Sequence, residues 1–438
     1  MLLFFGFLKK HFSLLIFVFF AIALQIQITL FSHASYPGLR LNLADLALPV
    51  LGVYIFSMLT RGVSAWPRWE RPIGYWCFIL LSGVIFLSCI NGYFTMGQWS
   101  NWALFNKTVG WFVLMGYLGC GAWLAQQTHD KDTFKVFIVA FLGFISLSLI
   151  YDVVTYFIYW EMQVPTNFKL GLDVEGFMQN RNAFAFLFLT ALFMASESVK
   201  HAPILSKSFH RLILFFWGLV PFCILMNGSR ALWVCLFIFI FALMTRYKKQ
   251  AITIIIPALL IGSIFTVIIF QDSAARALRP FQYASMIFEA DDHKEEFANA
   301  RGLPQNYEQD RITTLLQGLQ LIREYPVMGA GLGAVIEGQR QERSSPPVVM
   351  DNTLFWVLVE MGPLGLFSFL FIYIMMLHSL FKRRNESALI GAAFFMLLSF
   401  GVFSLFHEVL YTRFLWFILG MTLIVRLQKP TLEEKTGV

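Results

Sequence analysis

Charge is what this sequence has least of. Only 13% of its 438 residues are Asp, Glu, Lys or Arg, against roughly 25% in a soluble domain. With 58% hydrophobic residues and a mean hydropathy of +0.67, the composition excludes an ordinary soluble fold and implies a polytopic membrane protein. Patterned cysteine is lacking too: Cys77, Cys89, Cys120, Cys223 and Cys235 all fall in apolar segments and none forms a CxxC pair. That argues against a zinc site or a disulfide framework and for buried, inert thiols. There is no His-Cys-Asp cluster with metal-ligand spacing and no G-x-S-x-G context, which points away from metal and acyl-enzyme chemistry; no cofactor is expected. No period of 20 to 50 residues marks a solenoid.

What is there is a succession of apolar segments of membrane-spanning length. A bilayer core takes roughly 20 apolar residues per helix, and that ruler marks 12–31, 43–60, 73–91, 107–125, 134–152, 182–199, 212–227, 231–245, 251–270, 353–380, 388–406 and 413–426. The first follows Lys9-Lys10-His11 but is too long for a signal h-region, so it reads as a retained helix. Placing the N-terminus in the cytoplasm puts most connecting Lys and Arg on that side, including Lys200, Lys207, Lys382, Arg383 and Arg384. The short outer connections keep only Arg40, Lys107, Lys169, Arg181, Arg230 and Arg413 at helix mouths. Both termini are then cytoplasmic. The net charge of +7 needs no nucleic acid, since the inner basic runs suit anionic lipid headgroups. The expected fold is therefore all-α: a polytopic transmembrane bundle of about twelve helices with one large periplasmic loop holding a short amphipathic helix. Residues 1–270 carry helices one to nine, 271–351 the loop, and 352–438 the last three helices and a cytoplasmic tail, all one integrated membrane domain.

The long polar interval concentrates the chemistry. Asp310 is an expected N-cap, followed by Ile312, Leu315, Leu316, Leu319 and Ile322 at helical spacing and stopped by Tyr325-Pro326 and Gly329. The resulting amphipathic helix lies on the membrane surface or caps the bundle. Arg311 in its first turn opposes the helix dipole, so it is solvated, pairs with Asp310 or Glu308, or meets a bound anion. The glycine cluster Gly329-Ala330-Gly331-Leu332-Gly333 either reverses the chain tightly or lets backbone N–H groups approach a phosphate, though the Lys-Ser/Thr of a P-loop is missing. Arg230 follows Asn227-Gly228-Ser229 between two apolar segments; it snorkels to the interface or faces a polar cavity or anion, and Arg181 shares that ambiguity. Asp351 at the mouth of the next span is an N-cap or a general base. Glu360, about two and a half turns deeper, should face the bundle interior.

At these residues the chain resembles the bacterial O-antigen ligase and O-antigen polymerase superfamily of membrane glycan transferases. The resemblance rests on Gly176 with Asn180-Arg181-Asn182, on Ser229-Arg230, on Arg311 before a helix ending at Pro326 and Gly329-Ala330-Gly331, and on Asp351-Asn352 leading to Glu360-Met361-Gly362-Pro363-Leu364-Gly365. It implies transfer of a glycan from a polyprenyl diphosphate carrier to a sugar hydroxyl at the outer face of the bacterial inner membrane, without metal or nucleotide. It also implies that Arg230 and Arg311 hold the diphosphate. Asp351 stands where ligases have His, which leans the reading to polymerase. The expected catalytic set is then Arg230, Arg311 and Asp351, with Arg181, Lys107, Asn352 and Glu360 as substrate contacts. The expected partners are the lipid-linked donor, an acceptor (lipid A core or a lipid-linked repeat) and membrane lipid. A lipid-linked glycan transporter or flippase is the alternative, against which stands the absence of inverted repeats.

Overall fold

The computed structural model describes residues 14–33, 36–60, 73–127, 131–160, 174–178, 180–201, 207–227, 229–246, 255–269, 307–342, 350 and 352–423. Of the expected loop, 271–306, 343–349 and 351 lie outside these residues, as do both tails and Lys169. The chain opens with α1 (Leu14–Ala23) and a two-stranded antiparallel hairpin, β1 (Gln27–His33) and β2 (Tyr36–Asn42), in which Gln27 pairs with Asn42 and Thr29 with Arg40. The helices that follow are α2 (Ala47–Thr60), α3 (Ile73–Met96), α4 (Gly110–Gln127), α5 (Lys131–Trp160), α6 (Arg181–His201), α7 (Lys207–Met226), α8 (Arg230–Arg246) and α9 (Ile256–Ile269). Then come α10 (Tyr307–Glu324), α11 (Ala334–Glu342), α12 (Thr353–Arg383), α13 (Ala388–Phe403) and α14 (Arg413–Leu423).

Among the described residues the architecture is all-helical apart from that hairpin, and each of the twelve expected apolar segments contains a helix. Among the described residues six helices are long and apolar enough to cross a membrane: Phe78–Met96, Trp102–Gln126, Phe134–Thr155, Arg181–His201, Lys207–Met226 and Thr353–Arg383. The other six apolar helices are shorter, 10–17 residues. The expected 12–31 helix ends at Ala23, because Gln27–His33 is taken into the hairpin, whose return strand closes on Asn42; Asn42 Nδ2 ties it back to the Leu24 carbonyl at 3.0 Å.

Packing explains the centre. In α6 every residue from Phe184 to Val199 is buried, as a helix apolar on all sides must be. Small residues allow a close crossing of α4 and α14: a Cβ on Gly121 of α4 would lie 2.2 Å from the Phe417 carbonyl oxygen, and one on Gly420 of α14 would lie 2.1 Å from that of Leu118. Such close backbone approach is how apolar helices associate where lipid removes the usual hydrophobic drive.

Two features aim residues at one end of the bundle. Before α4 the chain takes a wide π-helical turn, Trp102–Val109, that carries Lys107. In α12 the helix breaks at Gly362 (φ 69°, ψ −174°) ahead of Pro363. Polar contacts hold charged groups at both ends of the bundle. Arg413 binds Asp45 in a fork (2.9 and 3.0 Å) at the hairpin end. At the other end Lys200 reaches Asn385 (3.4 Å) and Arg383 donates to the Thr422 carbonyl (2.8 Å).

α10 departs from its expected start, and of its two expected placements it takes the one against the bundle. It begins at Tyr307, one turn before Asp310, so Asp310 is not its cap, and Arg311 is its fifth residue. It also packs on the protein through its small residues: Thr314 is buried, and a Cβ on Gly318 would lie 2.7 Å from the Phe355 ring of α12. Leu315, Leu316 and Leu319 face outward, the orientation that contact with lipid favours.

Candidate functional site

Three helix N-termini meet at the hairpin end. α6 is capped by Asn180, whose Oδ1 accepts from the N–H of Asn182 (2.9 Å) and of Ala183 (3.0 Å). Asn227, fully buried, donates from Nδ2 to the carbonyls of Val174 (2.7 Å) and Arg181 (3.0 Å), while its Oδ1 accepts from Ser229 N–H at 3.3 Å. One asparagine thereby clasps the start of α6 to the start of α8, and brings the backbones of Arg181 and Arg230 to one rim. α12 is capped by Asn352, which accepts from Phe355 N–H (2.9 Å) and donates to the Leu405 carbonyl (2.7 Å). The cap expected of Asp351 is thus made by its neighbour.

The connection 404–412 closes this rim. Thr353 Oγ1 donates to the His407 carbonyl at 2.8 Å, and the side chain of Asn182 meets His407 Nδ1 at 3.2 Å, so α6 and α12 are joined through one histidine. Its neighbour Glu408 forms an ion pair with Lys107. Tyr411 donates to the Lys107 carbonyl (3.0 Å); burial, then the charges of Glu408 and Glu360, push its phenol well above the usual range and keep it a donor.

Lys107 and Glu360 sit beneath the rim, not on it. Lys107 is 2% exposed, and besides Glu408 its ammonium lies over the rings of Trp356 (4.1 Å), Tyr411 (4.8 Å) and Trp102 (5.5 Å). Glu360 is 1% exposed, and its carboxylate accepts from Trp356 Nε1 (2.7 Å), from Val335 N–H (3.4 Å) and from Gly333 N–H. It thus binds the N-terminus of α11, where the helix dipole favours an anion. Both residues were expected to touch substrate; in the structure both are enclosed and engaged by protein side chains and backbone.

The glycine cluster is likewise structural. Ala330 and Gly331 N–H donate to the carbonyls of Val359 (2.9 Å) and Glu360 (3.0 Å), and Leu332 N–H to Ser88 (2.9 Å), leaving none of the three for a phosphate. Gly329 (φ 73°) lies against the Gly362 break, where its Cβ would come within 2.4 Å of Gly362 N. The loop is a wedge between α3 and α12, the chain reversal that was one of its two sequence readings.

Of the expected catalytic residues, Asp351 lies outside the described residues, and Arg230 and Arg311 are placed by their backbone. Arg230 opens α8 on the rim. Arg311 is about 10 Å along α10 from Gly318, which rests on the first turn of α12. His407 and Glu408 had no place in the sequence reading; the signal was a His-Glu pair in a short outer connection otherwise flanked by apolar runs. Among the described residues no three His, Cys, Asp or Glu side chains gather to hold a metal ion.

Helix N-termini each present roughly half a positive charge. Three of them meet at this rim, and arginines stand at the first position of two. Residues 213–370 match the O-antigen ligase family model. The match supports the O-antigen ligase superfamily that the sequence landmarks resemble, and it indicates a membrane glycosyltransferase of ligase or polymerase type. It runs from α7 into α12 and takes in Arg230, Arg311, Asp351, Asn352 and Glu360, while Lys107, Arg181 and the His407-Glu408 connection lie outside it. No curated protein matches the chain.

Proposed function

We propose that this O-antigen ligase-type protein transfers a glycan from a polyprenyl diphosphate carrier to a sugar hydroxyl at the periplasmic face of the bacterial inner membrane. The observation that carries the reading is the convergence of the α6, α8 and α12 N-termini, with Arg181 and Arg230, at one end of an apolar bundle. An anionic headgroup fits that rim while its lipid tail stays between helices or in the bilayer. Arg230 and Arg311 stabilise charge developing on the departing diphosphate, and such electrostatic preorganisation is commonly the largest contribution to catalysis. Asp351, next to the Asn352 cap, orients or deprotonates the attacking hydroxyl; direct displacement then inverts the anomeric carbon. Lys107 and Glu360 take no direct part and hold the rim in shape.

The Asp at 351 leans the acceptor toward another carrier-linked repeat unit, which makes the activity polymerisation. Lipopolysaccharide from a deletion strain tests this. Core bearing a single repeat is the expected result; bare core with long chains left on the carrier would make the protein a ligase. Arg230→Ala and Arg311→Ala should each abolish complementation with normal abundance in the membrane, and full activity in either would remove the diphosphate clamp.

A further inference from the structure

α13 measures how far α12 reaches. It begins straight after α12, at the Ser387 cap, and its far end returns to the start of α12: the Ser404 carbonyl accepts from Leu354 N–H (3.5 Å) and that of Leu405 from Asn352 Nδ2 (2.7 Å). The 16 residues of α13 are about 24 Å long, whereas the 31 of α12 would measure about 46 Å if straight. Two such helices share both ends only if α12 turns sharply at the Gly362 break. Residues 353–361 then cross the end of the bundle, and 363–383 span it over about 31 Å, the thickness of a hydrocarbon core. α10 follows the crosswise piece in the same direction, with Gly318 against Phe355 and, beyond its C-terminus, Gly329 against Gly362. It therefore also lies across the bundle end, level with the outer limit of the spanning part.

The free surface of α10 is split lengthwise. Thr314 and Gly318 are buried toward α12; to one side of them stand Leu315, Leu316 (61% exposed) and Leu319, to the other Thr313, Gln320 and Glu324. Gln320 Nε2 donates to Glu324 at 2.9 Å on that polar side. The leucine side runs on through Arg323, Tyr325, Val327 (71% exposed) and Met328, all exposed. Val327 adjoins Gly362, whose Cβ would lie 2.7 Å from the Val327 carbonyl oxygen, and two residues further Leu364 opens the exposed stripe Leu364, Phe367, Phe371 and Ile374. That stripe belongs to a helix long and apolar enough to cross a membrane, so lipid covers it, and the leucine side of α10 is its continuation. An arginine with an apolar stem and a tyrosine are the residues that a lipid boundary favours.

We propose that α10 is an in-plane membrane helix. Leu315, Leu316, Leu319, Val327 and Met328 sit among the acyl chains of the leaflet at the hairpin end, Arg323 and Tyr325 among its headgroups, and the Gln320-Glu324 side in water. The partner of this surface is the bilayer itself. α10 so placed sets the depth of Arg311, its fifth residue, at the level where a lipid-linked diphosphate lies; this consequence rests on the glycan-transfer reading.

The test puts the full-length chain into nanodiscs of phosphatidylethanolamine and phosphatidylglycerol, which leave both faces open to reagents. Wild-type protein measures the native thiols, of which Cys89, Cys120, Cys223 and Cys235 are buried. Gln320→Cys and Glu324→Cys should react with a sulfonated maleimide at least about tenfold faster than Leu316→Cys, Leu319→Cys and Val327→Cys. A small fluorophore at the three apolar positions should be quenched by nitroxide-bearing acyl chains, and one at 320 or 324 should not. Fast labelling at the apolar positions puts them in water and overturns the proposal. Slow labelling without quenching means that protein covers the flank, and overturns it too. The combined Leu315→Gln, Leu316→Gln and Leu319→Gln variant should lower transfer about tenfold at unchanged abundance, while Gln320→Ala should not change it. Wild-type transfer by the triple variant overturns the depth-setting role. The labelling and quenching need no activity: if both come out as expected and the protein forms no glycosidic bond, the membrane placement stands and the glycan-transfer reading falls.

Discussion

Lys107→Met tests whether the cationic cage below the rim is a structural device. The ammonium and its stem are 2% exposed and the Glu408 side chain 17%. Methionine keeps the stem's volume but leaves the Glu408 carboxylate without its partner. Breaking a buried ion pair on one side costs about 3–5 kcal/mol, and the residual exposure of Glu408 puts this pair at the low end. Loss of the contacts to Trp356, Tyr411 and Trp102 adds about 1 kcal/mol, and apolar contacts of the thioether offset part of it, so the net loss is about 3 kcal/mol. Removing the stranded charge as well should recover much of this: Lys107→Met/Glu408→Gln should show a coupling of about 2 kcal/mol in a double-mutant cycle. Reversible denaturant unfolding in detergent reads all four proteins. A single variant within about 0.5 kcal/mol of wild type, or strictly additive effects, would refute the buried pair. Transfer activity adds a second arm. If Lys107 touched the diphosphate, the double variant would be stable and inactive; enclosed as it is, the double variant should transfer within about tenfold of wild type.

Other expectations follow from the same geometry. Asn227→Ala removes the clasp between α6 and α8; with its three side-chain hydrogen bonds lost it should cost about 2–3 kcal/mol and lower transfer, read by thermal stability beside activity. Gly362→Ala forces a side chain into φ 69° with its Cβ 2.7 Å from Gly329 N, so a loss of about 3 kcal/mol and poor membrane accumulation are expected. Trp356→Phe keeps the ring near Lys107 but removes the donor to Glu360, which should cost about 1–2 kcal/mol in the same unfolding assay.

The membrane class and the placement of helices are legible in the sequence because apolar run length is a direct consequence of bilayer thickness. The hairpin is not: Ile28, Thr29, Leu30 and Phe31 continue the apolar run of α1, and only their pairing with 36–42 makes them a strand. The rim is half legible. Arg181, Arg230 and Asn352 stand out as polar residues at the mouths of apolar segments. Lys107 stands out for the same reason, yet its partner Glu408 is 301 residues away, and sequence distance conceals that its charge is already matched. His407 is hidden likewise, since its meaning comes from Asn182 and Thr353, which meet only in the fold. The glycine cluster was open to two readings until its N–H partners, protein carbonyls and the Glu360 carboxylate, were in view.

Catalysis itself is tested most directly by supplying the purified chain, in detergent, with a polyprenyl-diphosphate glycan and an acceptor, and following both products by mass. The account predicts a new glycosidic bond with release of polyprenyl diphosphate in equal amount, absent in Arg230→Ala and Arg311→Ala. Intact donor and acceptor after prolonged incubation, from protein that moves the lipid-linked glycan across a vesicle bilayer, would contradict it.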